Sequence, residues 1–323
     1  MQIENGFGID FGLFISNHFI MKTIAYFFSF LFLGITLNSC IIQTEYMNGV
    51  SLEQVVTDND IWYVDYNRTT GTGNVPFVSK AFTLSFINGR LYANNNIVGI
   101  GYTGNGYGIQ KGTYNTQSGY LRINHNQDGF YEFEVFADSP TRIRLYNRSN
   151  NVTYYLTGYQ KNYFDFDQVF YDNIEYFLQE YYAWNKTYTS VAGSLNVFDY
   201  ENLLAFTPEN NTTFYSSQDP PNTALNSIYW DYTGSYEVFD VAGYDNLKIL
   251  SLYYSPSGYE RFELKVLNDA RIELYHIASG TTYRFDGRGF LQYKIGGKLE
   301  KSTEKTERQR TKISRETIQR ETR

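Results

Sequence analysis

The chain has 323 residues, of which 19% are aromatic and 19% charged, and its formal net charge is -7. This aromatic content supplies the core of one or two domains and excludes a chain that is disordered throughout. A single cysteine excludes a disulfide framework within the chain and a cysteine-rich metal site. The negative charge argues against nucleic acid as a partner, because phosphate binding needs clustered Lys and Arg.

The first predicted element is an export signal. Residues 21–37 carry one lysine followed by an almost wholly apolar run, and Ser39 precedes the only cysteine, Cys40. A short basic region, an apolar run and small residues at the end are typical of secretory signals. We predict that Cys40 is acylated and becomes the mature N-terminus. The alternative is an uncleaved membrane helix over residues 24–42.

The signal predicts the location of the protein. Residues 1–39 comprise an upstream extension and the signal peptide, with translation expected to start at Met21, and residues 40–50 form a linker after the anchor. We expect the lipid on Cys40 to hold the protein at the outer membrane, on its periplasmic face or at the cell surface.

An internal repeat organises the rest of the chain. Residues 129–158 align with residues 258–287 at a constant offset of 129. A constant offset over about thirty residues indicates two copies of one structural unit. We assign the copies to residues 51–161 and 166–294. The matched pairs upstream of this stretch, at an offset of 122, are Trp62 with Trp184 and Tyr114 with Tyr236.

Each copy has the pattern of an antiparallel meander. Residues 82–87 alternate between apolar and polar, Asn88-Gly89 favours a type I′ turn, and residues 90–92 return. Further strands are predicted at residues 120–123, 131–135, 143–146 and 152–156 in the first copy and at 229–232, 247–254, 262–266, 272–275 and 283–285 in the second.

A helix is predicted before the tryptophan of each copy. Ser51 and Gln54 have capping-box spacing, and apolar and aromatic residues hold helical spacing over residues 166–182. The predicted fold class is therefore mainly β, with two tandem antiparallel meanders, each preceded by a short helix. Lipocalin-like small barrels and open sandwiches are the two alternatives.

The aromatic residues are candidates both for the core and for ligand binding. A lipocalin-like interior would suit a hydrophobic ligand, whereas exposed rings would stack on the faces of sugars. The candidate ligand-binding residues are Trp62, Tyr92, Tyr114, Trp184 and Tyr236.

Three stretches carry a resemblance to a known family: KAFTLSFINGRLYANNNIVGIG at 80–101, FDFDQVFYDNIEYFLQEY at 164–181 and GRGFLQY at 287–293. They resemble a family of flavobacterial lipoproteins, and the resemblance covers nearly all of residues 21–293. It implies an envelope lipoprotein of Bacteroidota. Many members of that family are labelled nicotinic acid mononucleotide adenylyltransferase, an activity that requires a particular set of residues.

The residues do not support an adenylyltransferase. Such an enzyme needs an HxGH-type pair of imidazoles beside the nucleotide phosphates. The three histidines are His18, His125 and His276, and none has another histidine at that spacing. The GxGxxG pattern at residues 99–104 lacks the following helix and the distal acidic residue of a dinucleotide site, so a flexible β-loop is expected there.

Metal and nucleophile motifs are equally weak. The pairs Asp58/Asp60 and Asp165/Asp167 lack the glycine and distal glutamate of a calcium loop, and the second pair is expected to begin a helix. GxSxG does not occur in the sequence. We therefore expect neither an enzyme nor a cofactor or metal site.

The C-terminal segment differs sharply from the rest. Residues 298–323 carry nine Lys or Arg and five Glu but no aromatic residue. This composition predicts a disordered, solvated basic tail, and a basic arm attracted to anionic lipid is the alternative.

The predicted function is a lipid-anchored, non-catalytic binding or envelope-structural module. The ligand class that this prediction favours is a hydrophobic molecule inside a lipocalin-like unit. Carbohydrate binding is the alternative, and a hydrolase with two convergent carboxylates ranks third.

Overall fold

The computed structural model describes residues 49–207, 212–255, 258–291 and 310–321. The predicted signal and Cys40 lie outside the described residues. Within the described ranges, no helix is both long and apolar enough to cross a membrane.

The first unit is a closed barrel of eight antiparallel strands. They are β1 (Ile61–Gly71), β2 (Thr83–Ile87), β3 (Arg90–Asn94), β4 (Ile109–Gln117), β5 (Tyr120–His125), β6 (Gly129–Ser139), β7 (Arg142–Asn147) and β8 (Val152–Tyr159). Each strand pairs with the next, and β1 also pairs with β8, so the barrel has no free edge. Helix α1 (Leu52–Thr57) precedes β1, and α2 (Pro76–Lys80) lies between β1 and β2.

The second unit repeats this architecture. Helices α3 (Phe166–Asp172) and α4 (Ile174–Leu178) precede its strands. The strands are β9 (Tyr181–Thr189), β10 (Leu203–Phe206), β11 (Thr213–Ser217), β12 (Tyr232–Val241), β13 (Tyr244–Tyr254), β14 (Tyr259–Asn268), β15 (Arg271–His276) and β16 (Thr282–Phe290). Since β9 pairs with both β10 and β16 and β11 pairs with β12, this sheet also closes. The predicted mainly β fold of two tandem units is confirmed, with closed barrels rather than open sandwiches.

The tryptophan of the first strand makes equivalent contacts in both barrels, one with the preceding helix and one with the last strand. Trp62 Nε1 donates to Val56 O at 2.9 Å, and Trp184 Nε1 donates to Leu178 O at 2.8 Å. Trp62 pairs with Gly158 of β8, and Trp184 pairs with Gly287 of β16. A side chain on either glycine would collide with its surroundings, because the Cβ position at Gly158 lies 2.8 Å from the Trp62 ring.

A plug segment fills the opposite end of each barrel. Phe77 of α2 packs edge-on against Phe133 at 6.3 Å between ring centroids, and Phe198 packs against Phe262 at 4.6 Å. Phe198 belongs to a 3₁₀ turn, Val197–Tyr200, between β9 and β10. Phe133 and Phe262 are matched at the repeat offset of 129. With helices at one end and plugs at the other, side chains fill both interiors, as expected for small barrels.

The predicted secondary structure needs two corrections. The single helix expected over 166–182 is two short helices, because Asn173 leaves the helical conformation at φ -128° and its side chain bonds Val169 O and the Tyr63 hydroxyl. The strand expected at 229–232 begins only at Tyr232. Strands β10 and β11 were missed, since each has only four or five residues and shows no clear alternation.

The glycine-rich loop after β3 is fixed by carboxylates of the second unit. Glu180 accepts hydrogen bonds from Ile97 N and Val98 N, both at 2.7 Å, and Asp269 accepts one from Gly99 N at 2.8 Å. Consecutive backbone N–H groups of this kind form an anion site. Here two carboxylates of the chain occupy it, which ties the barrels together.

The predicted disorder of the tail is wrong for residues 310–321. Strand β17 (Thr317–Ile318) pairs in parallel with β12, and Arg310 is 6% exposed. Composition misled the prediction because arginines can be buried against aromatic rings and carboxylates, which an apolar count ignores. Residues 298–309, 322 and 323 lie outside the described residues.

Substituting Gly158 tests the seam between β1 and β8. A Cβ at this position would lie 2.5 Å from Asn59 Cγ and 2.8 Å from the Trp62 ring. We expect Gly158→Ala to lower the free energy of unfolding by about 1–3 kcal/mol through overpacking, measured by urea denaturation. Gly101→Ala is the matched control, because its Cβ would only reach ordinary contact with Phe166 at 3.4 Å. Equal stability of the two variants would contradict this account of the seam.

Candidate functional site

A group of aromatic rings, two exposed and two half-buried, lies on the outer surface of the second barrel, across β11 to β14. We call it the aromatic face: Tyr215, Trp230, Tyr253 and Tyr259, with Thr233 and Ser235 between them. Tyr215 and Trp230 are 6.1 Å apart between ring centroids, with planes inclined at 44°. Tyr253 and Tyr259 are 6.3 Å apart and inclined at 37°.

Strand alternation places these rings outside the barrel. On β13, Leu250 and Leu252 lie in the core, so Tyr253 between Leu252 and Tyr254 points outward. Tyr253 is 39% exposed and Tyr259, which pairs with it in register, is 65% exposed. The face therefore presents aromatic surface that the barrel does not need for its own core.

The middle of the aromatic face carries only small side chains. Tyr215 pairs with Thr233, and Tyr253 pairs with Ser235, so β12 contributes two short hydroxyl residues between the ring pairs. Both are exposed. The result is a shallow trough with rings on two sides and hydroxyl groups on its floor.

Carboxylates hold the loop beside this trough. Asp231 accepts a hydrogen bond from Gln218 N and Asp219 accepts one from Tyr229 N, both at 2.7 Å. The hydroxyl of Tyr253 donates to Glu237 at 3.4 Å. These contacts preorganise the aromatic face, and they give its surroundings an acidic character.

The residues predicted as ligand-binding lie elsewhere. Trp62 and Trp184 are completely buried, and Tyr114 and Tyr236 are 5% and 2% exposed, with their hydroxyls bonded to Glu53 and Gln179. Tyr92 is half-buried on β3 and points away from the core. The structure does not bring the five residues together, and none belongs to the aromatic face. The sequence signal that was missed is the position of Tyr253 directly after the alternating core residues Leu250 and Leu252, which places it on the outward side of the strand.

A second feature is a group of ionisable side chains inside the second barrel, next to its plug. Tyr254 donates to Glu201 at 2.8 Å, and Lys186 donates to Asp199 O at 2.6 Å. The hydroxyl of Tyr283 donates to the Asp199 carboxylate at 2.6 Å. The first barrel has Tyr154 at the position matched to Tyr283, but there the partners are the neutral Ser79 and Val75 N.

Burial controls the charges of this group. It raises the pKa of Glu201 to about 7, although Tyr254 donates to the carboxylate. It also lowers the pKa of Lys186 to about 8, despite the nearby Asp199 and Glu201. Burial thus disfavours the charged form of both side chains, so the pKa values of Glu201 and Lys186 lie nearer to neutral pH than in water.

A neighbouring set of three side chains, His276, Ser279 and Glu260, has the composition of a base, a nucleophile and an acid. His276 Nδ1 lies 2.7 Å from Ser279 Oγ, and His276 Nε2 lies 2.5 Å from Glu260 Oε2. The Ser279 hydroxyl is also bonded to Thr281 and Asn196, at 2.9 and 3.1 Å. These bonds occupy the hydroxyl and fix the turn between β15 and β16, so we interpret the set as structural.

The described residues contain no group of three or more His, Cys, Asp or Glu side chains placed to hold a metal ion. Of the two Asp-x-Asp pairs, Asp165 caps α3 by accepting from Gln168 N at 3.0 Å, as predicted, and Asp60 accepts from Lys161 N at 2.9 Å.

A scan against models of protein families gives no match, and a search of curated protein sequences gives no significant match.

Glu201→Gln tests the buried group. The folded-state pKa of Glu201, about 7, exceeds its ordinary value of 4.5, so the folded chain binds this proton more tightly and stability falls as pH rises between these values. At pH 8 we expect the free energy of unfolding of the variant to exceed that of the unsubstituted protein by about 1–3 kcal/mol. At pH 4.5 the two proteins should differ little, and urea unfolding measures both values. Because the Glu201 carboxylate also stabilises the charged Lys186, its removal offsets part of the gain in stability.

The control is Glu237→Gln, because Glu237 is exposed on the same barrel. It should leave the slope of stability against pH unchanged. Parallel curves for Glu201→Gln and the unsubstituted protein between pH 5 and 8 would show that Glu201 does not titrate in this window.

Proposed function

We propose that the protein is a non-catalytic, lipid-anchored envelope protein that binds carbohydrate through the aromatic face of its second barrel. The observation that carries the proposal is the pairing of Tyr253 with Tyr259 outside the core, facing Tyr215 and Trp230 across small hydroxyl residues. Aromatic rings stack on the C–H faces of sugars, and their hydroxyl groups supply polar contacts.

The described residues favour this proposal over a hydrophobic ligand inside a barrel. Core side chains fill both interiors, and the plug phenylalanines Phe77 and Phe198 are 6% and 0% exposed. A small cavity at Asn94, Val98 and Phe290 has a volume of about 60 Å³. Drug-sized ligands occupy pockets of roughly 300–1,000 Å³, so this cavity is too small for a lipid chain.

A rigid platform supports recognition of an extended ligand. Neighbouring strands lie roughly 4.8 Å apart, so the four strands under the aromatic face present a surface about 14 Å across. Because the barrel is closed and hydrogen bonds hold the adjoining loop, little ordering is needed on binding. A linear oligosaccharide of several rings matches this shape.

The membrane anchor is the second part of the proposal. The signal-like segment before Cys40 and the resemblance to flavobacterial lipoproteins both support acylation of this cysteine. The first described helix begins at Leu52, so the linker of residues 41–51 separates Cys40 from this helix. A linker of that length would place the aromatic face within reach of polymers at the membrane surface.

Removing rings from the aromatic face should weaken carbohydrate binding. We expect Tyr253→Ala and Tyr259→Ala each to weaken binding to a retained polysaccharide at least about tenfold, or about 1.4 kcal/mol, without changing stability by more than about 1 kcal/mol. Affinity electrophoresis against a panel of neutral and charged polysaccharides measures this. Tyr163→Ala is the control, since Tyr163 is 84% exposed and outside the face. Equal retention of all three variants would refute the proposed site.

Cys40→Ala tests the anchor. Without the thiol there is no acceptor for the lipid, so the protein should move from the membrane fraction to the soluble fraction of the cell envelope. Fractionation with immunoblotting measures the distribution, and Ser39→Ala, which keeps the cysteine, is the control. Retention of the Cys40→Ala protein in membranes would overturn the lipidation proposal.

A further inference from the structure

The C-terminal segment lies in a groove that both barrels form. Arg310 at its start reaches the first barrel, where its guanidinium donates to Ala81 O at 2.7 Å and lies 4.3 Å from the centre of the Phe82 ring. The same group donates to Asn173 of the second unit at 3.1 Å. Tyr66 and Tyr176 complete an aromatic cage around the cation, at 5.1 and 5.8 Å. We call this the arginine cage.

Two further arginines of the segment meet carboxylates of the second unit. Arg315 forms a two-pronged pair with Glu175, at 2.7 and 2.5 Å, and both side chains are less than 10% exposed. Arg320 forms a similar pair with Glu263, at 2.6 and 2.9 Å, where Glu263 is 4% exposed. Paired contacts of this geometry select a guanidinium over an ammonium group.

The backbone and apolar side chains add a second layer of recognition. Ile313 packs against the large hydrophobic cluster that contains residues of both barrels, and Ile318 packs against the outer cluster of Val241, Leu247 and Ile249. Asp240 N donates to Glu316 O and Ala242 N donates to Ile318 O, both at 3.0 Å. These are the contacts by which an added strand is recognised at the side of a sheet.

The barrels are complete without this segment. Eight strands close the second barrel, and β17 is an additional partner on the far half of β12, away from the pairing with β11. Apart from Arg310 and Arg315, whose side chains are almost fully buried, the described residues of the segment are half-buried or exposed. The segment is therefore bound as a peptide is bound, by side-chain anchors and a short strand.

We propose that the groove between the barrels is a recognition site for extended peptides bearing arginines five residues apart, and that residues 310–321 are its built-in ligand. Because the arginine cage takes acceptors from both barrels, occupancy of the groove fixes the barrels to each other. The ligand class is an extended segment with three guanidinium groups and two intervening apolar residues. The proposal does not depend on carbohydrate binding.

The test uses the full chain with Arg310, Arg315 and Arg320 all replaced by alanine, and a fluorescent peptide of residues 310–321. We expect the variant to remain folded and to bind the peptide at one site by fluorescence anisotropy. The unsubstituted chain, whose groove is occupied, should bind it at least tenfold more weakly. A peptide with lysine at the three positions is the matched control and should bind the variant at least tenfold more weakly.

A second variant locates the site. Adding Glu263→Gln to the triple variant should weaken peptide binding several-fold, because Gln cannot form the charged pair with Arg320. A folded triple variant that fails to bind, or that binds arginine and lysine peptides equally, would overturn the proposal. Unfolding of the triple variant would overturn it too, since the segment would then be part of the fold rather than a ligand. Far-UV circular dichroism and cooperative urea unfolding distinguish these outcomes.

Discussion

The architecture depends on the meeting of the first and last strands of each barrel. A sheet of eight strands closes only if these two strands lie at the correct distance, and in both copies a tryptophan faces a glycine at that point. The indole is also bonded to the last turn of the preceding helix, through Val56 O or Leu178 O. One side chain therefore sets the closure of the sheet and the position of the helix that covers its end.

The two copies use this shared frame differently. The first interior is apolar around Phe133, whereas the second places Glu201 and Lys186 beside its plug, where burial shifts both pKa values toward neutrality. The second barrel also carries the aromatic face and pairs with the C-terminal segment. The second copy therefore carries features, built on the duplicated core, that the first copy lacks.

Local patterns predicted much of the fold because they report local chemistry. Alternation and turn residues located most strands, and Asn88-Gly89 takes the positive φ values that a type I′ turn requires. The helix over 166–182 was predicted as one piece, because spacing alone does not show that the Asn173 side chain bonds other parts of the molecule. The candidate site was missed since a list of aromatic residues does not distinguish rings that fill a core from rings that point outward.

The sequence by itself determined the repeat and the mainly β class, because these follow from spacing along the chain. Only the tertiary structure decided that the barrels close and that Tyr253 and Tyr259 form an exposed pair. It also decided that the charged segment is bound rather than free. Its arginines gain their binding energy from carboxylates and rings that are distant in sequence, such as Glu175 and Phe82, and composition carries no information about such pairing.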